Sequence, residues 1–313
     1  MKIRIVIEGQ EGIPWMRFVE IARLCEELGF DALYRSDHYM STVSEDDRAC
    51  LDAWATLAGL AACTQTLKLG TLVSPVTFRH PSELAKVVTT VDHISNGRAE
   101  LGIGAGWNPV EHETFGFPFP STKDRVAMLE EQIEIICAQW AGEPFSFRGD
   151  HYTVEGRATR PRPVSQPHPH LLIGGSGGRA TTRIAARWAN EYNTPYASVE
   201  QCAVRYEKLM KACESAGRAP ESMTYSLMTG FVIGVDEDEL RQRAARIMHF
   251  ENGGDDIEAF LASHSDDWII GSPEDCRSRI NQYAAVGIDV IYLQHLDFND
   301  DDALRLIARE IAS

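Results

Sequence analysis

The 313-residue chain is predicted to fold as one α/β domain, a (β/α)8 TIM barrel with insertions, on three observations. Eight short apolar runs alternate with segments of helical periodicity along the whole length. Alternation of that kind implies a parallel sheet, and eight units imply closure into a barrel. No composition shift or linker divides the chain, so residues 1–313 read as a single domain with insertions at about 143–169 and 236–267. Polar and glycine residues collect just after the apolar runs, where a barrel of this class carries its working groups. The structural competitor is a doubly wound open sheet.

The elements follow in order. Ile3–Ile7 reads as strand one. Helix one follows Pro14, with Phe18, Ile21, Ala22, Cys25 and Leu28 on one face and Gly29 as its stop. Ala32–Arg35 is strand two, although Arg35 is unusual at a position expected to be apolar. Asp52–Cys63 is helix two and Leu67–Val73 strand three. Pro81 opens helix three, Leu84, Val87, Val88, Val91 and Ile94 give its stripe, and Ser95-Asn96-Gly97 ends it. Arg98–Ile103 is strand four. Helix four runs from about Ser121 to Ala141, with Ser121 and Asp124 spaced as a capping box. A stretch punctuated by Pro and Gly, about 143–169, reads as an excursion at the bottom of the fold. His170–Ile173 is strand five, followed by a glycine loop and helix five. Strand six lies near Glu191–Asn193, helix six at about 199–215, and strand seven at Tyr225–Val235. A helical insertion fills about 236–267. Ser272-Pro273-Glu274-Asp275 opens the last crossover helix, Asp289–Gln294 is strand eight, and a helix closes the chain.

Composition narrows the function. Hydrophobic residues make up 44% and charged residues 24%, enough for a sizeable core. The net charge of −16 argues against nucleic acid and anionic membranes as partners. Seven scattered cysteines without a C-x-x-C pair read as reduced core thiols. The first residues are too short and too alternating for a signal peptide, and no apolar run has the length of a membrane span. The expectation is a cytoplasmic protein acting on a small molecule.

The strand ends carry the candidate chemistry. Glu8-Gly9-Gln10 follows strand one, Ser36-Asp37-His38-Tyr39 strand two, and Gly104-Ala105-Gly106-Trp107-Asn108 strand four. Thr194 follows strand six, and Gln294-His295 strand eight. Gly174-Gly175-Ser176-Gly177-Gly178-Arg179 opens helix five, so its backbone amides, the Ser176 hydroxyl and the Arg179 guanidinium suit a phosphate. A tight turn needing positive φ is the bland alternative. Gly175-x-Gly177-x-x-Ala180 matches a dinucleotide fingerprint only weakly, with no acidic residue well placed after the next strand. Gly102-x-Gly104-x-Gly106 makes room either for a flat ring or for a bulge. His38 is the acid/base candidate, because imidazole titrates near neutrality, with Asp37 beside it. His168-Pro169-His170 and Glu111-His112-Glu113 have metal-like spacing, but the former precedes strand five and belongs to the bottom face. No metal site is assigned, and a metal-dependent barrel hydrolase stays as a lesser alternative.

The ordered set of rim motifs resembles the bacterial luciferase-like superfamily. It comprises Ser36-Asp37-His38, Leu69-Gly70-Thr71 through Arg79-His80-Pro81, and Val91-Asp92-His93-Ile94-Ser95-Asn96-Gly97-Arg98. It continues with Leu101-Gly102-Ile103-Gly104-Ala105-Gly106-Trp107, Leu171–Gly175 and Gly271-Ser272-Pro273-Glu274. The coenzyme F420-dependent oxidoreductases are the subgroup it resembles most. The resemblance implies a deazaflavin across the barrel mouth, with FMN as the alternative cofactor. It implies His38 near the ring, Asp37 contacting cofactor, and phosphate around Gly174, Gly175, Ser176, Gly177 and Arg179 with Thr194 close by. It implies a cis peptide between Leu72 and Val73, which would back the ring together with Ala105 and Gly106. Glu8, Trp107 and His295 are the substrate-side candidates. A homodimer is implied as well. So is a separate reductase if the cofactor is FMN and the chain a monooxygenase. A non-catalytic flavin-binding relative is a further alternative. One departure stands out. The sugar-phosphate dehydrogenases of the group carry a glutamate where this chain has Trp107, which counts against a sugar substrate.

Overall fold

The computed structural model describes residues 1–43, 48–251 and 253–312. Eight parallel strands form the barrel: β1 (Lys2–Ile7), β2 (Ala32–Arg35), β3 (Lys68–Thr71), β4 (Ala99–Gly104), β5 (His170–Gly174), β6 (Glu191–Pro195), β7 (Thr224–Ile233) and β8 (Val290–Gln294). Each pairs with the next in sequence order, and β8 pairs back onto β1 with Lys2 opposite Val290, so the barrel is closed. Helices surround it: α1 (Trp15–Glu27), α2 (Ala53–Cys63), α3 (Pro81–Ser95), α4 (Pro109–Phe115), α5 (Thr122–Ala141), α6 (Arg179–Trp188), α7 (Val199–Ser215), α8 (Glu237–Phe250), α9 (Ile257–Ser263), α10 (Pro273–Ala285) and α11 (Asp301–Glu310).

Alternation along β1 separates two cores. Ile3, Ile5 and Ile7 join the large apolar layer between strands and helices, whereas Val6 joins the interior cluster of Ala32, Tyr34, Leu72, Leu172, Val290 and Tyr292. Burying one such aliphatic side chain stabilises the fold by about 1.5–3 kcal/mol. Local signals set the helix ends. His80 caps α3 ahead of Pro81, and Asn96 (φ 58°) and Gly97 (φ 88°) stop it in left-handed backbone. Ser198 and Gln201 form a capping box at α7.

The barrel floor is polar and buried. Arg4 Nη1 donates to Glu100 at 3.2 Å and to the Tyr292 hydroxyl at 2.8 Å, while its Nε and Nη2 clamp Asp31. The Tyr292 hydroxyl donates to Glu191 at 2.9 Å, and His170 Nε2 lies 3.0 Å from the same carboxylate. Lys68 pairs with Glu100 at 3.3 Å. This network ties β1, β2, β3, β4, β5, β6 and β8 together at the end remote from the C-terminal ends of the strands.

Three local features differ from the sequence reading. Strand three is shorter than Leu67–Val73. It ends at Thr71, and after the cis Leu72–Val73 peptide a two-residue strand, Ser74–Pro75, pairs with β4. The loop after β4 contains a helix, α4, too short to show a period, although Asn108 at the cap and Pro109 at the first position announce it. Arg35 turns out of the barrel rather than into it. Its Nη1 donates to Thr56 Oγ1 at 2.6 Å and its guanidinium lies over the Phe18 ring, which makes it part of the helix layer. Residues 143–169 carry a small hairpin, Phe147–Arg148 with Thr153–Val154, whose Tyr152 ring reaches His80 at the start of α3.

Candidate functional site

β1 and β8 lie side by side, with Glu8 just after the first and Gln294 at the end of the second. The Glu8 carboxylate accepts from Gln294 Nε2 at 2.6 Å and from Gln10 Nε2 at 2.9 Å. Ser36, at the end of β2, donates to Gln10 and accepts from Gly9 N–H at 3.1 Å. A Cβ at Gly9 would lie 2.3 Å from the Arg35 guanidinium, so any side chain there would require Arg35 to move.

His38 follows two residues later. Its Nδ1 lies 2.9 Å from Glu111 Oε2, and the other Glu111 oxygen accepts the Tyr39 N–H. Glu111 is fully buried on α4. Among the described residues no protein group bonds His38 Nε2, and the ring keeps a small exposed edge. Trp107, 63% exposed, meets it edge-on with centroids 5.8 Å apart. Burial acts to lower the His38 pKa. The Glu111 hydrogen bond and charge, with the charges of Glu8 and Asp37, outweigh it and raise the value above the usual imidazole range.

Asp37 is held at one carboxylate oxygen. It is 1% exposed, and its Oδ2 accepts from Arg79 Nη1 at 2.5 Å and from Ser74 Oγ at 2.6 Å. Arg79 also donates to Asp52 at 2.7 Å. Through these bonds the carboxylate fixes the loop after β3 to the end of β2.

The glycines of β4 have a specific neighbour. A Cβ at Gly102 would lie 2.0 Å from Thr71 O and 3.1 Å from Val73 Cγ1. One at Gly104 would lie 2.7 Å from Val73 Cγ2, and one at Gly174 3.2 Å from Val73 Cγ1. These glycines make room first for Thr71 and Val73, and only beyond them for a ligand. Gly106 adopts φ 79° against Pro75 and Thr77, with half-buried Ala105 before it. Leu72 is 7% exposed and joins the interior cluster, so within the cis pair Val73 is the more open side chain.

The loop after β5 is organised by Tyr192. Its hydroxyl accepts from Gly177 N–H at 2.9 Å, and a Cβ at Gly175 would lie 2.6 Å from it. Gly175 N–H is bonded to Asn193 O at 2.9 Å. The two glycine amides are therefore occupied, and the open donors are those of the first turn of α6. Gly178 caps that helix with no side-chain hydrogen bond, which leaves its first-turn amides without partners among the described residues. Ser176 and Arg179 are exposed beside it. Arg205, from α7, packs on Gly177 and donates to Thr194 Oγ1 and to Pro195 O at 3.2 Å. Thr194 is fully buried behind Arg205. A helix start with free amides and two arginines nearby matches the donor set of a phosphate.

His295 leaves the group. It is 2% exposed and stacks on Phe231, and it lines a cavity of about 10 Å³ with Arg243, Asp297 and Asp300 between β7 and the outer helices. Among the described residues its Nε2 has no partner, and burial lowers its pKa to about 4. It belongs to the helix layer rather than the mouth, because the residue after Gln294 points to the opposite face of the strand. The metal-like clusters also separate. His170 serves the floor, Glu111 holds His38, and His112 lies 2.6 Å from Thr77 Oγ1. Among the described residues no three His, Cys, Asp or Glu side chains converge on a metal position. Sequence reasoning weighed Glu111 only as a metal ligand and passed over Arg205. The Asn108-Pro109 cap could have signalled the first. No local pattern marks the second.

No helix among the described residues is long and apolar enough to cross a membrane. The chain is 27% identical over 301 residues to an F420-dependent glucose-6-phosphate dehydrogenase of Amycolatopsis mediterranei, covering 90% of this chain and 87% of that protein. The corresponding dehydrogenase of Microbacterium testaceum is 33% identical over 205 residues, covering 64% of this chain and 59% of its own length. An FMNH2-dependent dimethylsulfone monooxygenase of Pseudomonas putida is 25% identical over 310 residues, covering 90% and 83%. Among solved structures, a monooxygenase from Streptomyces bottropensis superposes with a TM-score of 0.83 at 24% identity over 99% of this chain and 98% of that one. An F420-dependent secondary alcohol dehydrogenase does so with a TM-score of 0.83 at 19% identity and the same coverage. The luciferase-like monooxygenase family matches residues 3–290. With its closed barrel and polar rim, the chain is an oxidoreductase-type enzyme belonging to the luciferase-like family, whose members here include both F420- and FMN-dependent proteins.

Proposed function

We propose that the chain is a coenzyme F420-dependent oxidoreductase that moves a hydride between the deazaflavin and a small organic substrate, with His38 as the acid/base group. The observation that carries this reading is the setting of His38, an imidazole held at Nδ1 by a buried carboxylate with Nε2 left for a ligand. The first turn of α6, Ser176, Arg179 and Arg205 would hold the cofactor phosphate. Val73, Ala105, Gly106 and the Gly174–Gly175 backbone would face its ring. When bound, the deazaflavin supplies two-electron hydride chemistry. The chain supplies orientation and a proton: the imidazolium gives one to a carbonyl oxygen as it becomes an alcohol, and the neutral ring takes one in the reverse direction. Glu8, held by two glutamines, and Trp107, beside His38, are positioned to meet the substrate. The homodimer implied by the family belongs to this proposal.

A second reading, an FMN-dependent monooxygenase fed by a separate reductase, is supported by the Pseudomonas relative, matched over 83% of its length, and by Trp107 where the resemblance implies a glutamate in the sugar-phosphate dehydrogenases. Fluorescence titration with F420 and FMN side by side separates the two. F420 is expected to bind at least tenfold tighter, a difference of about 1.4 kcal/mol. Equal affinities, or tighter FMN binding, refute the F420 assignment and leave the fold untouched.

A further inference from the structure

We propose that Glu111 is a positioning residue of the reaction, acting through His38 by keeping a hydrogen on Nδ1 so that the open Nε2 edge exchanges the substrate proton. The proposal rests on the acid/base reading of His38 given above.

The geometry leaves one arrangement. Glu111 has no exposed surface and sits in the first turn of α4, whose start is set by the Asn108 cap and Pro109. One carboxylate oxygen accepts the Tyr39 N–H, which can only donate. The other, 2.9 Å from His38 Nδ1, is an acceptor in the ionised carboxylate, so Nδ1 carries the hydrogen. The neutral imidazole then presents Nε2 as a lone pair, and the imidazolium presents it as an N–H donor. These are the base and acid forms that alcohol oxidation and carbonyl reduction require. In carbonyl reduction, hydride from the reduced cofactor forms the C–H bond and the C=O π pair moves onto oxygen. Nε2–H then gives its proton to that oxygen. His38 ends neutral, still donating Nδ1–H to Glu111, so Glu111 itself exchanges no proton. The other nearby carboxylates are committed elsewhere, Asp37 to Arg79 and Ser74 and Glu8 to Gln10 and Gln294. Burial would otherwise favour a neutral ring. The Glu111 contact opposes it and keeps the acid form populated.

The test reads His38 directly, by NMR of the 15N-histidine-labelled, cofactor-free protein, and so does not depend on which cofactor is right. In the wild type the neutral ring is expected as the Nδ1–H tautomer, titrating above the ordinary imidazole value. An Nε2–H tautomer there overturns the proposal without any variant. Glu111→Gln keeps the shape and removes the charge. Because the Tyr39 N–H needs an acceptor, the new amide must turn its oxygen to it and its NH2 to Nδ1. His38 should switch to the Nε2–H tautomer and its titration should move down. With a turned-over substrate, kcat should fall by ~10²-fold or more, the scale of lost acid–base catalysis, while cofactor Kd stays within a few fold. The pH profile should shift in the same direction as the NMR titration. Glu111→Asp, which keeps the charge, should recover part of kcat. An unchanged tautomer and titration in Glu111→Gln overturns the proposal. If the NMR switch occurs but His38→Ala is fully active, the acid/base reading falls while the Glu111–His38 coupling stands.

Discussion

Gly104→Ala should drive a methyl group into Val73. The added Cβ would lie 2.7 Å from Val73 Cγ2, about 1 Å inside an ordinary carbon–carbon contact of ~3.5–4.0 Å. The other Val73 methyl lies over Gly102 and Gly174, where an added Cβ would meet it at 3.1 and 3.2 Å. Overpacking of this size costs about 1–3 kcal/mol, partly offset by the ~0.5–1 kcal/mol that Ala gains over Gly within a strand. Val73→Ala alone removes two methyl groups from a half-buried site, at about 1 kcal/mol. The decisive measurement is the double variant. With the Val73 branches gone, the new methyl fills their space. Gly104→Ala/Val73→Ala should therefore unfold at a higher denaturant midpoint than Gly104→Ala, with coupling of about 1 kcal/mol or more. Unlinked sites add to within about 0.3–0.5 kcal/mol. Equilibrium denaturation of the four proteins, followed by tryptophan fluorescence, provides the cycle. Gly102→Ala serves as the contrast, because its Cβ would meet the Thr71 carbonyl oxygen at 2.0 Å, and no side-chain truncation relieves that. Additive losses, or a double variant weaker than Gly104→Ala, would refute the claim that these glycines exist to seat Val73.

His38→Ala should lower turnover by about 10²-fold or more with cofactor affinity kept within a few fold, as steady-state kinetics and titration would read; near-normal turnover would reduce His38 to packing. Arg179→Ala should weaken cofactor binding by roughly 10-fold or more, the scale of one charge-assisted hydrogen bond of about 1.5–3 kcal/mol. It should also flatten the salt dependence of Kd, and an unchanged Kd would remove Arg179 from the phosphate cradle. At the floor, burial acts to lower the His170 pKa, and the Glu191 hydrogen bond with the Glu100 and Glu191 charges raises it overall. A raised folded value contributes stability that is complete below the unfolded pKa of about 6.5 and is lost as pH rises through the folded value. His170→Gln should therefore reduce the fall in stability above pH ~6.5, and identical wild-type and variant slopes in pH-dependent unfolding would refute this.

Much of the site was legible, but unevenly. His38 stood out because a strand end followed by Ser-Asp-His is a local pattern, and its acid/base role is a proposal. The Leu72–Val73 cis peptide was implied by family resemblance and is present. Asp37 was placed at the rim, but its tie to Arg79 was not foreseen. Its Arg79 partner lies 42 positions away and arrives through the loop after β3. His295 was assigned to the mouth on its place after β8, whereas strand alternation turns it outward, and only Gln294 faces Glu8. The glycine loop was correctly placed at the start of α6, yet two of its amides are already bonded by Tyr192 and Asn193.

By itself the sequence determined the repeating strand and helix pattern and the barrel class, while the family came from the resemblance of its ordered motifs. Pattern and class rest on periodicity, caps and turn residues within a few positions of one another. Only the tertiary structure decided which groups touch. Glu111 reaches His38 across 73 residues, Val73 fills the space above glycines on two other strands, and Arg205 crosses from α7 to the loop after β5. Such contacts are set by barrel closure and register, which bring distant strand ends together, and no local pattern encodes which of several polar side chains will meet there.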